Sequence, residues 1–461
     1  METGERPHLV RAAWDVWRAT RGDPLFIANL QKARIASLIA FAKSQSPFYR
    51  KRYMHLPDPA PNLQSLPPVT KQDLMENFEE WVTDPAVKQD EVERFVGDRT
   101  LIGTRYLGRY TVFATSGTTG RPAIFVHDRG AATVYLALAV VRRFLPLMSL
   151  HTLRAFLRMG CRTAAIVATG GHFTSSVIDG LARQRFPRLS GRNRTLSLLA
   201  PLPDLVRELN RFRPAILGSY PTAMTVFSDE QEAGTLRIAP ALALTGAEWL
   251  SPGNRKKISS AFRCPVRDSY AASEFMGIAY DCVRGRLHLN ADWLVLEPVD
   301  KWYRPVPPGQ ASHTTLLTNL ANRVQPIVRY DLGDSITEIP GPCPCGSPLP
   351  LIQVEGRKDE ILQFRSSSGK TVPLLPMVLS TVVEETPGLG SYQLLQTGPA
   401  HLSIRLEAAP GHDRARTGNG VAARLREFLS AQGLEVVVYV TKERPVRDPA
   451  GGKLRQIFAE M

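Results

Sequence analysis

The chain has 461 residues, of which 43% are hydrophobic and 22% are charged. This composition is typical of an ordinary soluble globular protein, and the length is sufficient for two or three domains. Five cysteines in so long a chain exclude a disulfide scaffold. A reduced, cytoplasmic protein is therefore expected.

Two further classes are excluded by the distribution of charged and apolar residues. Glu2 and Glu5 occupy positions where a secretory signal would carry a basic region and an apolar run. The longest nearly uncharged apolar stretch, from Ala131 to Val141, is far shorter than the ~20 residues that span a bilayer. We therefore expect neither a signal peptide nor a membrane partner.

The chain is basic. Its 57 lysines and arginines exceed its 43 acidic residues, which gives a formal net charge of +14. Such a charge favours an anionic partner, namely a nucleic acid, a phosphate-bearing cofactor or an acidic protein. The segment from Arg183 to Arg194 contains five arginines and no acid. It predicts either a solvated basic face or a docking patch for a phosphate or a carrier protein.

The N-terminal region is predicted to be helical. Residues 1–50 have apolar side chains at helical spacing, interrupted at Gly22-Asp23-Pro24. After a proline-rich connector, Thr70 is followed three residues later by Asp73, which is the pattern of a capped helix start.

The next element is a strand that leads into a glycine-rich loop. The run Tyr110–Phe113 is aromatic and β-branched, and Ala114-Thr115-Ser116-Gly117-Thr118-Thr119-Gly120-Arg121-Pro122 follows it. Glycines allow a close approach of the backbone, and hydroxyl and amide groups supply donors for phosphate. The loop is not a Walker A loop, because no Gly-Lys-Ser/Thr follows at the required spacing. Taken alone, it is equally compatible with a polar β-turn.

Strand-like and helical runs alternate after this loop. Ala164–Val167, Ala215–Leu217 and Ala241–Leu244 are typical of buried strands, which predicts an α/β core. Past Gly356 the pattern changes to a helix near 378–385 and to alternating strands around 402–406 and 436–440. These last residues predict a small α+β domain.

Five further stretches, taken together with the loop, indicate a function. In chain order they are Leu244-Thr245-Gly246-Ala247-Glu248, Asp268-Ser269-Tyr270-Ala271-Ala272-Ser273-Glu274, Ile327-Val328-Arg329-Tyr330-Asp331-Leu332-Gly333-Asp334, Gly356-Arg357-Lys358-Asp359-Glu360 and Gly451-Gly452-Lys453-Leu454-Arg455. In this order and at these intervals, the set resembles the adenylate-forming superfamily of acyl-CoA synthetases, adenylation domains and luciferases. Within it, the phenylacetate–CoA ligase-like branch is most similar.

The resemblance implies a fold and a reaction. The fold is α/β, with a large multi-layer N-terminal adenylate-forming domain (1–356) that binds ATP and the acid, and a small mobile α+β C-terminal domain (357–461). Such enzymes use ATP and Mg²⁺ to activate a carboxylate as an acyl-adenylate, with release of pyrophosphate. They then pass the acyl group to a nucleophile, usually the thiol of CoA.

The resemblance also implies roles for individual residues. The phosphates of ATP are assigned to Thr115, Ser116, Gly117, Thr118, Thr119 and Gly120. Gly246, Ala247 and Glu248 border the adenine, on which Tyr270 stacks next to Ser273. Glu274 reaches Mg²⁺, Asp334 accepts from the ribose hydroxyls, and Arg357 lies close by. Asp359 is the hinge. Lys453 bridges the carboxylate and the α-phosphate, and Glu274 and Thr118 are the other catalytic residues.

A second constellation predicts a metal site. Five residues separate Cys282 from His288, and Cys343 and Cys345 flank a proline in a loop that is rich in proline and glycine. Three thiolates and an imidazole can form a closed, structural zinc site, and similar patterns occur in this branch. The alternative is four unrelated residues.

The substrate is less well defined. The acyl pocket is expected around Gly218, Tyr220 and Gly170, whose mixture of small and aromatic residues suits an aryl or medium-sized acid. The acceptor is CoA, a separate carrier protein or an amine, and a homodimer is allowed. The alternatives are an adenylate-forming amide or carrier-protein ligase, a basic zinc-containing nucleic-acid-binding protein, and a non-catalytic nucleotide-binding relative. The ordered motifs argue against a nucleic-acid partner.

Overall fold

The structure, a computed structural model of the chain, describes residues 9–56, 62–115, 123–147, 150–169, 172, 177–178, 180–181, 191–355, 361–366, 371–446 and 455–460. Several sequence-based assignments lie outside these residues, namely Ser116, Gly117, Thr118, Thr119, Gly120, Gly170, most of the Arg183–Arg194 cluster, Arg357, Asp359 and Lys453. Those assignments stay predictions.

The helices of the described residues are α1 (Leu9–Arg21), α2 (Pro24–Gln45), α3 (Pro47–Arg52), α4 (Lys71–Glu76), α5 (Phe78–Trp81), α6 (Gln89–Gly97), α7 (Arg129–Leu138), α8 (Leu150–Arg158), α9 (Leu202–Phe212), α10 (Pro221–Glu232), α11 (Pro252–Phe262), α12 (Pro376–Glu384) and α13 (Arg414–Ala431). A π-helical turn, Ala139–Phe144, continues α7.

The predicted helix start at Thr70 is confirmed, and the predicted interruption at Gly22-Asp23-Pro24 is where α2 begins. At α2 the side chain of Asp23 accepts from the N–H of Phe26 at 2.7 Å, and Pro24 occupies the first turn. At α4 the side chains of Thr70 and Asp73 form a reciprocal capping box.

The strands are β1 (Thr111–Ala114), β2 (Ile124–His127), β3 (Thr163–Val167), β4 (Asn193–Ser197), β5 (Ile216–Ser219), β6 (Leu242–Thr245), β7 (Val266–Arg267), β8 (Ser269–Ala272), β9 (Phe275–Asp281), β10 (Leu287–Leu289), β11 (Leu294–Val299), β12 (Thr314–Asn319), β13 (Ile327–Asp331), β14 (Ser335–Ile339), β15 (Leu351–Glu355), β16 (Leu362–Arg365), β17 (Thr371–Leu374), β18 (Leu389–Gly398), β19 (His401–Ala408), β20 (Val437–Val440) and β21 (Ile457–Ala459).

The predicted α/β core is a parallel sheet in the order β4-β3-β5-β6-β7. Its central strands are apolar runs, and Ile166, Leu217 and Ala243 are completely buried. Helices α9, α10 and α11 contribute side chains to the same core. Such continuous apolar strands are expected where helices cover a parallel sheet.

Antiparallel sheets carry most of the motifs, and the sequence analysis did not foresee them. One sheet has the order β14-β15-β10-β9-β8, and a second has the order β11-β12-β13. Their strands are short and rich in polar residues that are nevertheless buried, such as Thr315, Thr318 and Asn319. Because these residues do not alternate with apolar ones, the period-two signal of a strand is weak.

The C-terminal residues form the predicted α+β unit. Strands β20-β19-β18-β21 make a mixed sheet in which β18 and β19 are antiparallel and the outer pairs are parallel. Helices α12 and α13 complete its apolar core. This unit contacts the rest of the chain through Arg99 and Glu385, at 3.1 Å, and through the Gln432 amide, which donates to Leu199 O at 2.8 Å. The expected boundary at 356/357 falls outside the described residues.

Among the described helices, α2 alone is long and apolar enough to cross a membrane. Of the residues in its most apolar stretch, 17% are buried within the protein. Core helices and signal sequences meet the same test, so it is weak evidence for a span.

Candidate active site

The described ends of the glycine-rich loop form the base of a hairpin. Strands β1 and β2 pair antiparallel, with Ala114 opposite Ile124. Beyond them, Thr115 N–H donates to Ala123 O at 2.9 Å, and Ala123 N–H donates to Thr115 Oγ1 at 2.9 Å. Both ends of the loop are therefore fixed by the same two residues.

Three predicted site residues from two distant segments meet beside strand β2 of this hairpin, where His127 Nε2 lies 2.8 Å from Ser273 O and the Phe125 ring packs against Tyr330. The Tyr270 hydroxyl donates to Asp334 Oδ2 at 2.7 Å, although the two residues are 64 positions apart. Glu274 lies close enough to both for its charge to act on them. Tyr270 lies within β8, Glu274 lies in the turn to β9, and Asp334 precedes β14. Strands β8 and β14 are the two edge strands of the five-stranded antiparallel sheet, so the Tyr270–Asp334 hydrogen bond joins its opposite edges.

Glu274 is in an unusual electrostatic environment for a carboxyl group. It is 6% exposed, and burial raises its pKa to about 7. The hydrogen bond from Tyr330 and the charge of Lys71 oppose this rise, while Asp334 adds to it. A buried carboxylate of this kind gains strongly from a cation placed beside it.

Lys71 is a neighbour of this site that the sequence analysis missed. The preceding Val69 pairs with β13, because Val69 N–H donates to Arg329 O at 3.0 Å and Val69 O accepts from Asp331 N–H at 2.9 Å. This pairing brings the first residue of α4 to the acidic cluster. Burial lowers the pKa of Lys71, and the charges of Glu274 and Glu384 oppose that effect. The sequence predicted the capped start of α4, but it did not indicate that this start places the Lys71 ammonium group near Glu274.

A buried network supports the backbone around Glu274. His127 is 1% exposed, and burial lowers its pKa to about 4. The neutral imidazole therefore donates from Nε2 to Ser273 O at 2.8 Å and accepts at Nδ1 from the Tyr135 hydroxyl at 3.1 Å. Asn319 donates to that hydroxyl and to Glu274 O, both at 2.8 Å. The backbone on both sides of the carboxylate is thus tied to the core.

The turn after β6 is shaped for a close approach of the backbone. A side chain at Gly246 would lie 2.9 Å from Ser269 Oγ, and Ala247 has a φ of 66°. The Glu248 carboxylate points to α10, where it accepts from Thr222 N–H at 3.0 Å and from Thr222 Oγ1 at 2.7 Å. Its side chain therefore caps a helix, and only the backbone of this turn is available to border an adenine.

The two stretches expected to form the acyl pocket lie side by side. Strands β3 and β5 pair with Ala165 opposite Gly218. The hydroxyl of Tyr220 accepts from Ala168 N–H at 3.2 Å. His172 is buried, and its Nδ1 lies 2.9 Å from Val96 O.

The four predicted metal ligands form a compact cluster. The sulfur atoms of Cys282, Cys343 and Cys345 and a ring nitrogen of His288 all lie within 4.8 Å of one another. Cys282 Sγ is 3.9 Å from Cys343 Sγ, and Cys345 Sγ is 3.3 Å from His288 Nε2. His288 Nδ1 lies 2.9 Å from Leu349 O, which leaves Nε2 to face the three sulfurs. Residue types and spacing therefore fit a tetrahedral metal ion.

Comparison with known proteins gives the family context. No family model matches the sequence. The chain is 26% identical over 357 residues to a phenylacetate–coenzyme A ligase of Thermus thermophilus. The aligned residues make up 73% of this chain and 71% of that protein. It is 27% identical over 168 residues, 35% of either chain, to protein CapK of Staphylococcus aureus.

Solved structures with the same fold include 2-hydroxyisobutyryl-CoA ligase. Its complex with 2-HIB-AMP and CoA in the thioesterification state has a TM-score of 0.56 at 20% identity, covering 96% of this chain and 91% of that one. Its postadenylation complex with R3-HIB-AMP covers the same shares, with a TM-score of 0.53 at 19% identity. The chain is similar in sequence to a phenylacetate–coenzyme A ligase and has the fold of adenylate-forming acyl-CoA ligases. The resemblance drawn from its motifs is thereby confirmed.

Proposed function

We propose that this protein is an AMP-forming acid–thiol ligase that activates a carboxylic acid with ATP and transfers the acyl group to CoA. The observation that carries the proposal is the convergence of Tyr270, Glu274 and Asp334 beside strand β2 of the glycine-rich hairpin. Three separate motifs would meet in this way if they served one nucleotide. The likeness to a phenylacetate–coenzyme A ligase over 73% of the chain supports the same activity.

The proposed chemistry joins two anions, a carboxylate and the α-phosphate of ATP. Fixed cations and oriented donors are needed to stabilise the negative charge that accumulates in the transition state. In our proposal the loop from Thr115 to Gly120 holds the β- and γ-phosphates, and Lys453 bridges the reacting groups. Glu274 would hold Mg²⁺, a hard cation that prefers carboxylate oxygens and would offset the burial of this side chain.

The nucleoside would lie between the turn at Gly246 and the Tyr270–Asp334 pair. The Tyr270 ring would provide a stacking surface for adenine, and Asp334 would accept from ribose hydroxyls with Arg357 nearby. Asp359 would act as the hinge between domains 1–356 and 357–461. Rotation about it would exchange the adenylation and transfer arrangements of the cap.

The acid is proposed to be aryl or medium-sized, because the paired segments around Gly218 and Tyr220 combine small and aromatic side chains. An amine or carrier-protein acceptor is the alternative to CoA. We place the protein in the cytoplasm, since its five cysteines are all free.

We further propose that Cys282, His288, Cys343 and Cys345 hold one structural zinc ion. Four protein ligands complete a tetrahedral shell and leave no position for substrate, so the ion would stabilise the fold. It would fasten the loop before β15 to the hairpin of β9 and β10.

The decisive experiment is acid-dependent ATP–pyrophosphate exchange across a panel of aryl, fatty and amino acids, followed by thioester formation with CoA. Exchange with an aryl or medium-chain acid, and a CoA thioester as the product, are expected. Exchange without thioester formation, but with amide or carrier-bound product, would favour the alternative ligases. If no acid supports exchange and the protein binds DNA or RNA in a salt-sensitive manner, the protein is instead a nucleic-acid-binding protein.

A further inference from the structure

The outward side of helix α1 is apolar, although its inward side already packs against the core. Ala12, Val16 and Ala19 face inward and are at most 2% exposed. On the opposite side, Val10 is 81% exposed and Trp14 is 56% exposed. A surface helix normally presents polar residues on the side opposite its core face.

The apolar surface continues from α1 onto the first turn of α2. Leu25 is 70% exposed, and the rings of Trp14 and Trp17 stack at 4.9 Å. We call the set Val10, Trp14, Arg18, Arg21 and Leu25 the α1 outer face; the half-buried Trp17 packs against the core beside it. Large apolar side chains are thus concentrated within sixteen consecutive positions, from 10 to 25.

Arginines of this face lie against aromatic rings beside it. The guanidinium of Arg21 is 4.6 Å from the centroid of Trp17, and that of Arg18 is 5.3 Å from the centroid of Phe26. Cation–π contacts keep the two guanidinium groups at the level of the aromatic rings of Trp17 and Phe26. Aromatic and cationic groups are therefore presented together and in a fixed arrangement.

The charge of the region selects an anionic occupant. Between residues 9 and 32 the basic side chains are Arg11, Arg18, Arg21 and Lys32, and the acidic ones are Asp15 and Asp23. The excess of positive charge agrees in sign with the formal net charge of +14 of the whole chain. An acidic surface would be attracted both locally and at long range.

The two helices are anchored, so the face is held at the surface of the large domain. Gln31 donates to Ala291 O at 2.7 Å and to Leu294 O at 3.0 Å. Arg142 donates from Nε to Thr20 Oγ1 at 2.9 Å while it is paired with the buried Asp292 at 2.7 Å. Because these contacts hold α2 against the fold, its apolar composition does not require it to cross a bilayer.

We propose that the α1 outer face docks the protein on the surface of an anionic lipid bilayer. Tryptophan is enriched at the level of lipid headgroups, and arginines beside it would bind anionic headgroups. A second copy of the chain fits less well, because a two-fold contact would bring Arg18 and Arg21 of both copies together. The inference concerns where the protein acts and goes beyond the reaction proposed above.

The test is cosedimentation of the full chain with vesicles. Phosphatidylcholine vesicles are compared with vesicles that contain about 30% phosphatidylglycerol, at low and at high salt. Binding is expected only to the anionic vesicles and is expected to weaken at high salt. Trp14→Ala combined with Leu25→Ser, and separately Arg18→Glu combined with Arg21→Glu, should each reduce the bound fraction at least about tenfold.

Matched controls separate this face from general stickiness and net charge. Val437→Ser removes an apolar side chain that is 57% exposed on the C-terminal sheet. Arg207→Glu combined with Arg211→Glu reverses two exposed arginines on α9, so the net charge changes by the same amount. Both controls should bind anionic vesicles like the wild type. Thermal unfolding should confirm that all variants are folded, and Val10→Asn is the milder variant if the paired change at Trp14 and Leu25 unfolds the helices.

Three results would overturn the inference. The first is the absence of binding to either kind of vesicle, and the second is binding that the face variants leave unchanged. The third is a concentration-dependent dimer that Trp14→Ala abolishes, with no vesicle binding, which would assign the face to a second copy. Failure of acid-dependent exchange would not affect these results, so the two proposals can fail separately.

Discussion

The Tyr270 hydroxyl donates a hydrogen bond to Asp334 Oδ2 at 2.7 Å. This contact joins β8 to the segment between β13 and β14. It thereby fixes the Tyr270 ring and the Asp334 carboxylate relative to each other. Burial, followed by the charge of Asp334, raises the pKa of Tyr270, so the phenol stays protonated and remains the donor. If both residues contact one nucleoside, the hydrogen bond preorganises the site before ATP arrives.

Tyr270→Phe should test this preorganisation, because it keeps the ring and removes the donor. One hydrogen bond to a charged group contributes about 1.5–3 kcal/mol, so the KM for ATP in pyrophosphate exchange should rise about tenfold or more. Tyr439→Phe is the control, since its hydroxyl contacts Thr397 at 3.0 Å on the C-terminal sheet. An unchanged KM for ATP in Tyr270→Phe would show that the pair does not contact the nucleotide.

The metal cluster gives a second prediction. Cys345→Ser should lower the zinc content of the purified protein and its free energy of unfolding together, by about 4 kcal/mol or more, because bound metal contributes directly to folding. Metal analysis and denaturant unfolding under reducing, non-chelating conditions measure the two quantities. Cys161→Ser, outside the cluster, should change neither zinc content nor the response to chelator. Wild-type protein without zinc would contradict the prediction.

Sequence reasoning succeeded where a function depends on a local pattern. The strands around Ile166, Leu217 and Ala243 and the cap at Thr70 were all visible as short-range signals. The cluster at Cys282 was predicted from spacing and family resemblance, and the described geometry brings its ligands together.

The missed features depend on pairings between distant segments. Lys71 reaches Glu274 only because Val69 pairs with β13, more than 250 residues away in sequence. The support that His127 gives to Ser273 likewise requires two sheets to pack. Neither residue stands out in its local sequence, since pattern analysis detects periodicity along the chain and not long-range contacts.

His127 leads to a prediction about pH. Burial lowers its pKa to about 4 from an ordinary value of 6.5, so the folded protein keeps it neutral where an unfolded chain would bind a proton. Its contribution to stability is therefore complete above about pH 6.5 and is lost as the pH falls towards 4, by at most about 1.4 kcal/mol per pH unit.

The comparison of wild type with His127→Gln isolates this contribution, because the carboxyl groups titrate in both proteins. The glutamine amide can still donate to Ser273 O, but it does not titrate. Between pH 7 and pH 5, the free energy of unfolding from urea denaturation should fall more steeply in the wild type than in the variant. Equal slopes would mean that His127 is protonated, or solvated, in the folded protein.

The last prediction concerns Lys453. A catalytic lysine and an ordinary solvated lysine at this position predict very different effects on activity. A lysine preceded by two glycines would by default be a solvated side chain with no effect on activity. If it instead reaches the α-phosphate, it supplies a cation to adenylation in addition to Lys71, which lies beside Glu274. Loss of one preorganised cation costs about 3–4 kcal/mol, or roughly 10²–10³ in rate.

Lys453→Ala should therefore suppress acid-dependent pyrophosphate exchange while it largely spares transfer to CoA from a supplied acyl-adenylate. The second half-reaction is spared because the rotated cap would carry this lysine away from the reacting carbonyl. Asp359→Pro, which stiffens the proposed hinge, should show the opposite bias. Lys442→Ala removes another exposed C-terminal lysine and should leave both half-reactions intact. Wild-type exchange in Lys453→Ala would mean that another cation stabilises adenylation, and Lys71 would then be the side chain to test.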